Sequence, residues 1–226
     1  MTRVHVYMTF ALGAFAMLAG CTYRGGDIGD PAVRKFDWFS FVAGDDIREH
    51  CQPDMPDRFR MVYNAIYTEQ LRIYEWDSLR RVLSVKVRGE TMGGGLALDD
   101  PLAPWRAKSE KVQLDGPTYD RLVAALQADG AFGPPAVGLQ LPSRSYYWTA
   151  ATCRAGRYAF TAWRHPSEAF DRLQAPALLF ALDFTGEPVR QAAPVPFDPF
   201  FNDKVRKNQA VDFNLGVGEN GLSSRP

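Results

Sequence analysis

The chain has 226 residues, 46% of them hydrophobic, with 26 Lys+Arg against 26 Asp+Glu and so a formal charge of zero. That length suits one domain or two small ones, and the apolar share suffices for a globular core, which excludes wholesale disorder. The charge balance excludes a strongly basic nucleic-acid binder, which needs excess Lys and Arg to neutralise phosphates, and 3 cysteines are too few for a disulfide-dense miniprotein.

Met1-Thr2-Arg3 is a short start with one positive charge, and the stretch from Val6 to Leu18 that follows is apolar apart from Thr9. It is too short for a spanning helix, which takes about 20 apolar residues, and it fits the apolar region of a secretory signal. It ends Leu18-Ala19-Gly20-Cys21. These four residues resemble the lipobox of bacterial lipoproteins, and the resemblance covers the leader alone. It implies a signal peptide over 1–20, cleavage before Cys21, and lipidation of Cys21 on its sulfur and its new amino group. Two or more acyl chains anchor stably where one binds only marginally. Thr22 stands where an Asp would favour the inner membrane, which implies the outer membrane, with the domain facing the periplasm.

With Cys21 assigned to lipid, Cys51 and Cys153 remain, and an oxidising compartment favours their pairing. The rival readings are two free thiols, or a nucleophilic Cys51 served by the neighbouring His50.

Residues 21–34 are polar and Gly-rich and read as a flexible tether. Phe39 and Phe41 alternate around Ser40, a strand pattern, and Gly44-Asp45-Asp46 then opens a loop that holds Cys51. Strands follow over 58–65, 68–76 and 82–88, each alternating apolar and polar residues as in an antiparallel sheet solvated on one side. The Gly-rich stretch Glu90–Trp105 reads as a long loop, and Lys111–Leu114 as a short strand. Tyr119, Leu122, Val123 and Leu126 form one stripe of a helix over Pro117–Ala128, capped at Asp115 or Gly116. A β pair spans Tyr146–Cys153 and Arg157–Trp163, and Ser167 caps a short helix to Leu173. Leu178–Asp183 extends that helix or forms a last strand. Residues 192–226 read as a Pro/aromatic segment followed by a largely disordered tail. The expectation is a single α+β domain over 35–191: an antiparallel sheet in two groups of strands, with one or two helices on one face.

The chain holds no HExxH, no CxxC, no Gly-x-Ser-x-Gly elbow and no P-loop, so no catalytic residue, metal ligand or cofactor is assigned. Asp45, Asp46, Glu69 and Glu75 remain as carboxylates for a glycosidase-like reaction. Arg58, Arg60, Arg72, Tyr74, Lys86 and Arg88 fall on the polar faces of the first three strands, a candidate basic face for anionic headgroups or an acidic partner. Its alternative is an ordinary solvated face paired to Glu69, Glu75 and Glu90. The aromatic clusters Phe36–Phe41 and Pro196–Phe201 are either core or a partner- or glycan-binding surface. The leading expectation is a non-catalytic envelope lipoprotein, attached to the membrane through Cys21, that binds or scaffolds an envelope protein or glycan. The alternatives are a lipid-anchored hydrolase of cell-wall or glycan substrate and a small-ligand-binding envelope module.

Overall fold

A computed structural model describes residues 22–89, 107–207 and 211–224. The expected signal peptide over 1–20, Cys21 and the expected loop Glu90–Trp105 lie outside the described residues. The fold is α+β. Six strands form one antiparallel sheet in the order β4-β3-β2-β1-β6-β7. They are β1 (Arg58–Ala65), β2 (Gln70–Asp77), β3 (Val82–Arg88), β4 (Lys108–Gln113), β6 (Tyr146–Arg154) and β7 (Arg157–Arg164). The short strand β5 (Gln140–Pro142) leaves this sheet to pair with β8 (Asn214–Gly218), which pairs with β9 (Gly221–Ser224).

Period-2 alternation puts Phe59, Met61, Tyr63, Tyr74, Trp76, Val85 and Trp148 on one face. There they pack under α3 (Gly116–Ala128) and α5 (Ala175–Ala181), with Tyr63 stacked on Trp148 at 4.7 Å between ring centroids. Each large apolar side chain buried this way contributes roughly 1.5–3 kcal/mol. The opposite face is also covered. Val62, Leu71, Ile73, Tyr147 and Ala151 lie beneath α1 (Pro31–Ala43), α2 (Asp45–Glu49) and the β8–β9 hairpin. The expectation of a sheet solvated on one side, with helices on one face only, is therefore corrected: the chain is three layers deep.

The second layer comes from segments that sequence reading assigned to a tether, a strand and a loop at one end of the chain and to a tail at the other. Phe36–Phe41 is helical, because Asp30 caps Ala32 and Val33 with its side chain, Pro31 starts the helix, and Gly44 stops it in the left-handed region at φ 68°. Trp38, Phe41 and Val42, spaced for one helix face, are buried against the sheet, while Phe36 is exposed. Gly44 has no alternative residue, since a Cβ there meets the methyl of Ala151. The supposed tether is packed: Tyr23 and Ile28 are buried, and Tyr23 N donates to Ser40 Oγ at 2.8 Å. In the supposed tail, Phe213, Leu215 and Val217 are buried in the same layer. The Pro196–Phe201 cluster is surface, with Phe197 and Phe200 exposed and Arg144 over the Phe201 ring.

Other expectations hold. The α3 helix begins at its Asp115 cap, and α4 (Glu168–Asp171) at its Ser167 cap. Leu178–Asp183, by contrast, neither extends α4 nor forms a strand: it falls mostly in α5, a separate helix. Cys51 and Cys153 form a disulfide that fastens the end of the α2 segment to β6.

Candidate functional site

The six residues of the candidate basic face do not share a face. Register places Arg72 opposite Tyr63 and Tyr74 opposite Met61, under α5, whereas Arg58, Arg60, Lys86 and Arg88 point to the α1 side. Arg72 is fully buried and ion-paired with Asp183, to which Tyr74 also donates at 3.0 Å. Arg60 is equally buried, bonded to Asp46 at 2.8 and 2.9 Å, to Glu75 at 2.9 Å and to the Phe41 carbonyl at 2.7 Å. Its guanidinium lies 3.7 Å from the Phe41 ring centroid. Arg58 joins Asp46 at 3.2 Å, and Lys86 joins Asp27 at 2.6 Å. The reading of an exposed basic face is thus corrected: these are polar faces of strands roofed by other layers, and most of their charges are already matched.

The carboxylates set aside for hydrolysis are matched too. Asp45 accepts from Ser40 Oγ at 2.7 Å, Asp46 and Glu75 flank Arg60, and Glu69 pairs with Arg190. Burial alone would raise the Asp46 carboxyl, but the hydrogen bonds and charge of Arg60, then Arg58, hold it below the usual range. A depressed carboxyl stabilises the fold above its unfolded pKa, about 3.9, and that contribution is lost as pH falls through the folded value. The urea midpoint is therefore expected to drop between pH 5 and pH 3, and less steeply in Asp46→Asn. Equal slopes in the two proteins would remove Asp46 from the acid response.

Arg88 alone of the six lies behind the wall of a groove: its guanidinium sits over the Tyr67 ring, and Tyr67 lines a cavity of about 310 Å³ between α1, the β1–β2 turn and the segment entering β8. Its walls are Trp38, Phe39, Tyr67 and Phe213, its rim carries Arg34 and Lys35, and no acidic residue lines it. Tyr67 is the centre of the arrangement. Its ring contacts Phe213 at 4.9 Å and Trp38 at 5.6 Å, and the Arg88 guanidinium lies 5.0 Å over it. Arg34 hydrogen-bonds the Tyr67 hydroxyl. The turn that delivers Tyr67 is strained, since Ile66, a β-branched residue, sits at φ 61°.

Polar atoms without protein partners gather around that ring. They are Trp38 Nε1, Arg88 Nε and Nη2, Tyr147 Oη and Asn64 Oδ1, all buried. Tyr147, Asn64, Leu71 and Arg88 form one row across β6, β1, β2 and β3. Asn64 Nδ2 and the Tyr67 amide both donate to the Ser143 carbonyl, which ties Asn64 to the same place. An unmatched buried polar atom costs about 1–3 kcal/mol, so a cluster of them calls for an explanation. The charge is unmatched as well. Burial, helped by repulsion from Arg34, pushes the Arg88 guanidinium down to about 10 despite the opposing pull of Tyr67. Arg88 still stays cationic near neutrality. Burial pushes the Tyr67 hydroxyl up, though Arg88 and Arg34 partly offset it.

Chemically, the groove offers apolar contact beside cations and no residue arranged as a nucleophile or acid–base pair. His50 and His165 lie elsewhere, with His50 Nδ1 at 2.9 Å from the Asp46 carbonyl and His165 against Tyr146 and Phe170. Sequence reading singled out Arg88 but missed Trp38, Tyr67 and Phe213 as its company, because they come from three distant segments. Among the described residues no three His, Cys, Asp or Glu converge in metal-binding range, and no helix is long and apolar enough to cross a membrane. Compared with models of known families, with characterised proteins and with solved structures, the chain matches none.

Proposed function

We propose that this chain is a lipoprotein of the bacterial cell envelope, anchored through Cys21 in the outer membrane and facing the periplasm, whose domain acts by binding another envelope component rather than by catalysis. The lipobox Leu18-Ala19-Gly20-Cys21 supports the anchor, and the Cys51–Cys153 disulfide suits an oxidising compartment. The observation that carries binding is the aromatic groove with the unmatched Arg88 beside it, since buried donors without acceptors are what a recognition site retains for its ligand. The carboxylates that hydrolysis would need are engaged in ion pairs.

Two measurements test the reading. The wild type is expected to incorporate labelled palmitate and sediment with outer membranes, and Cys21→Ser to lose both; sedimentation unchanged in Cys21→Ser would overturn the anchor. A photo-crosslinking residue at Val211, on the groove rim, is expected to give a discrete adduct in whole envelopes, and one at the exposed Leu79, which lies outside the groove, to give none. Absence of any Val211 adduct would overturn binding at this groove.

A further inference from the structure

We propose that the groove takes a small amphipathic carboxylate, its apolar body against Trp38, Phe39 and Phe213 and its carboxylate on the Nε/Nη2 edge of Arg88, a ligand assignment that rests on the binding role above. Three observations converge on that chemistry. First, the two nitrogens of Arg88 without partners are Nε and Nη2. They are the parallel donors of the guanidinium's side, which match the two oxygens of a carboxylate. Arg60 uses the same edge on Glu75, with Nε at 2.9 Å and Nη2 at 2.7 Å from Oε1. Arg88 has the donor edge without the acid.

Second, the surroundings select a single anionic charge on an apolar body. Arg34 and Arg88 repel each other across Tyr67, and no carboxylate lines the groove to separate them. An anion placed there relieves the repulsion in a site of low dielectric, where charge interactions are strong. The rest of the wall is aromatic, and its volume of about 310 Å³ lies at the small end of ligand sites. Third, the side chain over Arg88 is the one held on a strained turn. Both nitrogens are shielded from solvent behind the Tyr67 ring, so the carboxylate reaches them as that ring turns aside and leaves its hydrogen bond to Arg34.

The test uses the mature chain carrying Cys21→Ser, which needs no detergent, titrated with decanoate and with 1-decanol while Trp fluorescence reports on Trp38. Decanoate is expected to bind at least tenfold more tightly than decanol. Arg88→Met should reduce that preference to within about twofold, and Arg88→Lys, which keeps the cation and loses the two-donor edge, should reduce it several-fold. Val211→Trp, a change at an exposed rim position, should weaken both ligands. A preference that survives Arg88→Met in a folded protein, or decanol binding as well as decanoate, would overturn the carboxylate assignment. If neither probe binds while the Val211 crosslink still forms, the ligand class is wrong and the envelope-binding role stands.

Discussion

Replacing Arg72 by Met is expected to cost about 3–5 kcal/mol of stability, because it strands the Asp183 carboxylate in the core. Arg72 is wholly buried, and the Asp183 side chain is only 2% exposed. The guanidinium does more than balance one charge: Nε donates to Gln70 Oε1 at 2.9 Å and Nη2 to the Glu187 carbonyl at 2.6 Å. Gln70 in turn donates to the Pro188 carbonyl at 2.8 Å and accepts from Arg190 N at 3.0 Å. Together they clasp the segment after α5 across the face of the sheet. At about 2–4 °C per kcal/mol for a protein of this size, the melting temperature should fall by roughly 6–20 °C. The double variant Arg72→Met/Asp183→Asn should recover part of the loss, since removing both charges leaves no stranded ion. A loss below about 1 kcal/mol in Arg72→Met, measured by urea unfolding, would mean that water reaches Asp183.

Arg72 also shows why part of this structure was legible in the sequence and part was not. Alternation along β1 and β3 set those strands and their shared apolar face, and these survive. In β2 it found a strand, but Leu71 and Ile73 lie on the opposite face under α1 while Arg72 and Tyr74 lie with the apolar face of β1. Alternation cannot say what lies over the polar face. An Arg every second residue reads the same under solvent as under a second layer, and the partners that tell the cases apart come from outside the sheet: Asp46 from a helix 14 residues before Arg60, and Asp183 from a segment 111 residues after Arg72. The missing layer nevertheless left local marks. Asp30-Pro31 is a cap followed by a first-turn proline, and with Gly44 thirteen helical residues later it outweighs the brief alternation of Phe39 and Phe41. Glu219-Asn220, the two residues between β8 and β9, lead into Gly221, and an Asn-Gly pair is a hairpin signal in a stretch whose polarity suggested disorder. The groove left no such mark. Trp38, Tyr67, Arg88 and Phe213 meet only because the amino-terminal helix and the carboxy-terminal hairpin lie over the same end of the sheet. The cysteines were the exception, since their number alone left one pairing once Cys21 was set aside.

Reducing that pairing is the second large effect expected. Cys51 and Cys153 are separated by 102 residues, and cross-linking a loop of that length removes unfolded-state entropy equivalent to roughly 4–5 kcal/mol. The effect acts on the unfolded chain more than on the fold, so three observables should move differently. The urea midpoint should fall steeply in reducing buffer. The denaturant slope should rise, because the reduced unfolded chain exposes more surface than the cross-linked one. The circular dichroism of the folded state should change little, since β1 and β6 pair along their whole length and keep Cys153 in place without the bridge. One local consequence is specific to this fold. Cys51 follows α2, whose Asp46 pairs with Arg58 and Arg60, so the bridge restrains the segment that supplies the carboxylate. Amide exchange in Asp45–Glu49 should therefore quicken on reduction by a larger factor than in β3 or α3. A midpoint shift of less than about 1 kcal/mol on reduction would show that the unfolded chain is already compact around these residues, and uniform acceleration of exchange would show that the bridge restrains no segment in particular.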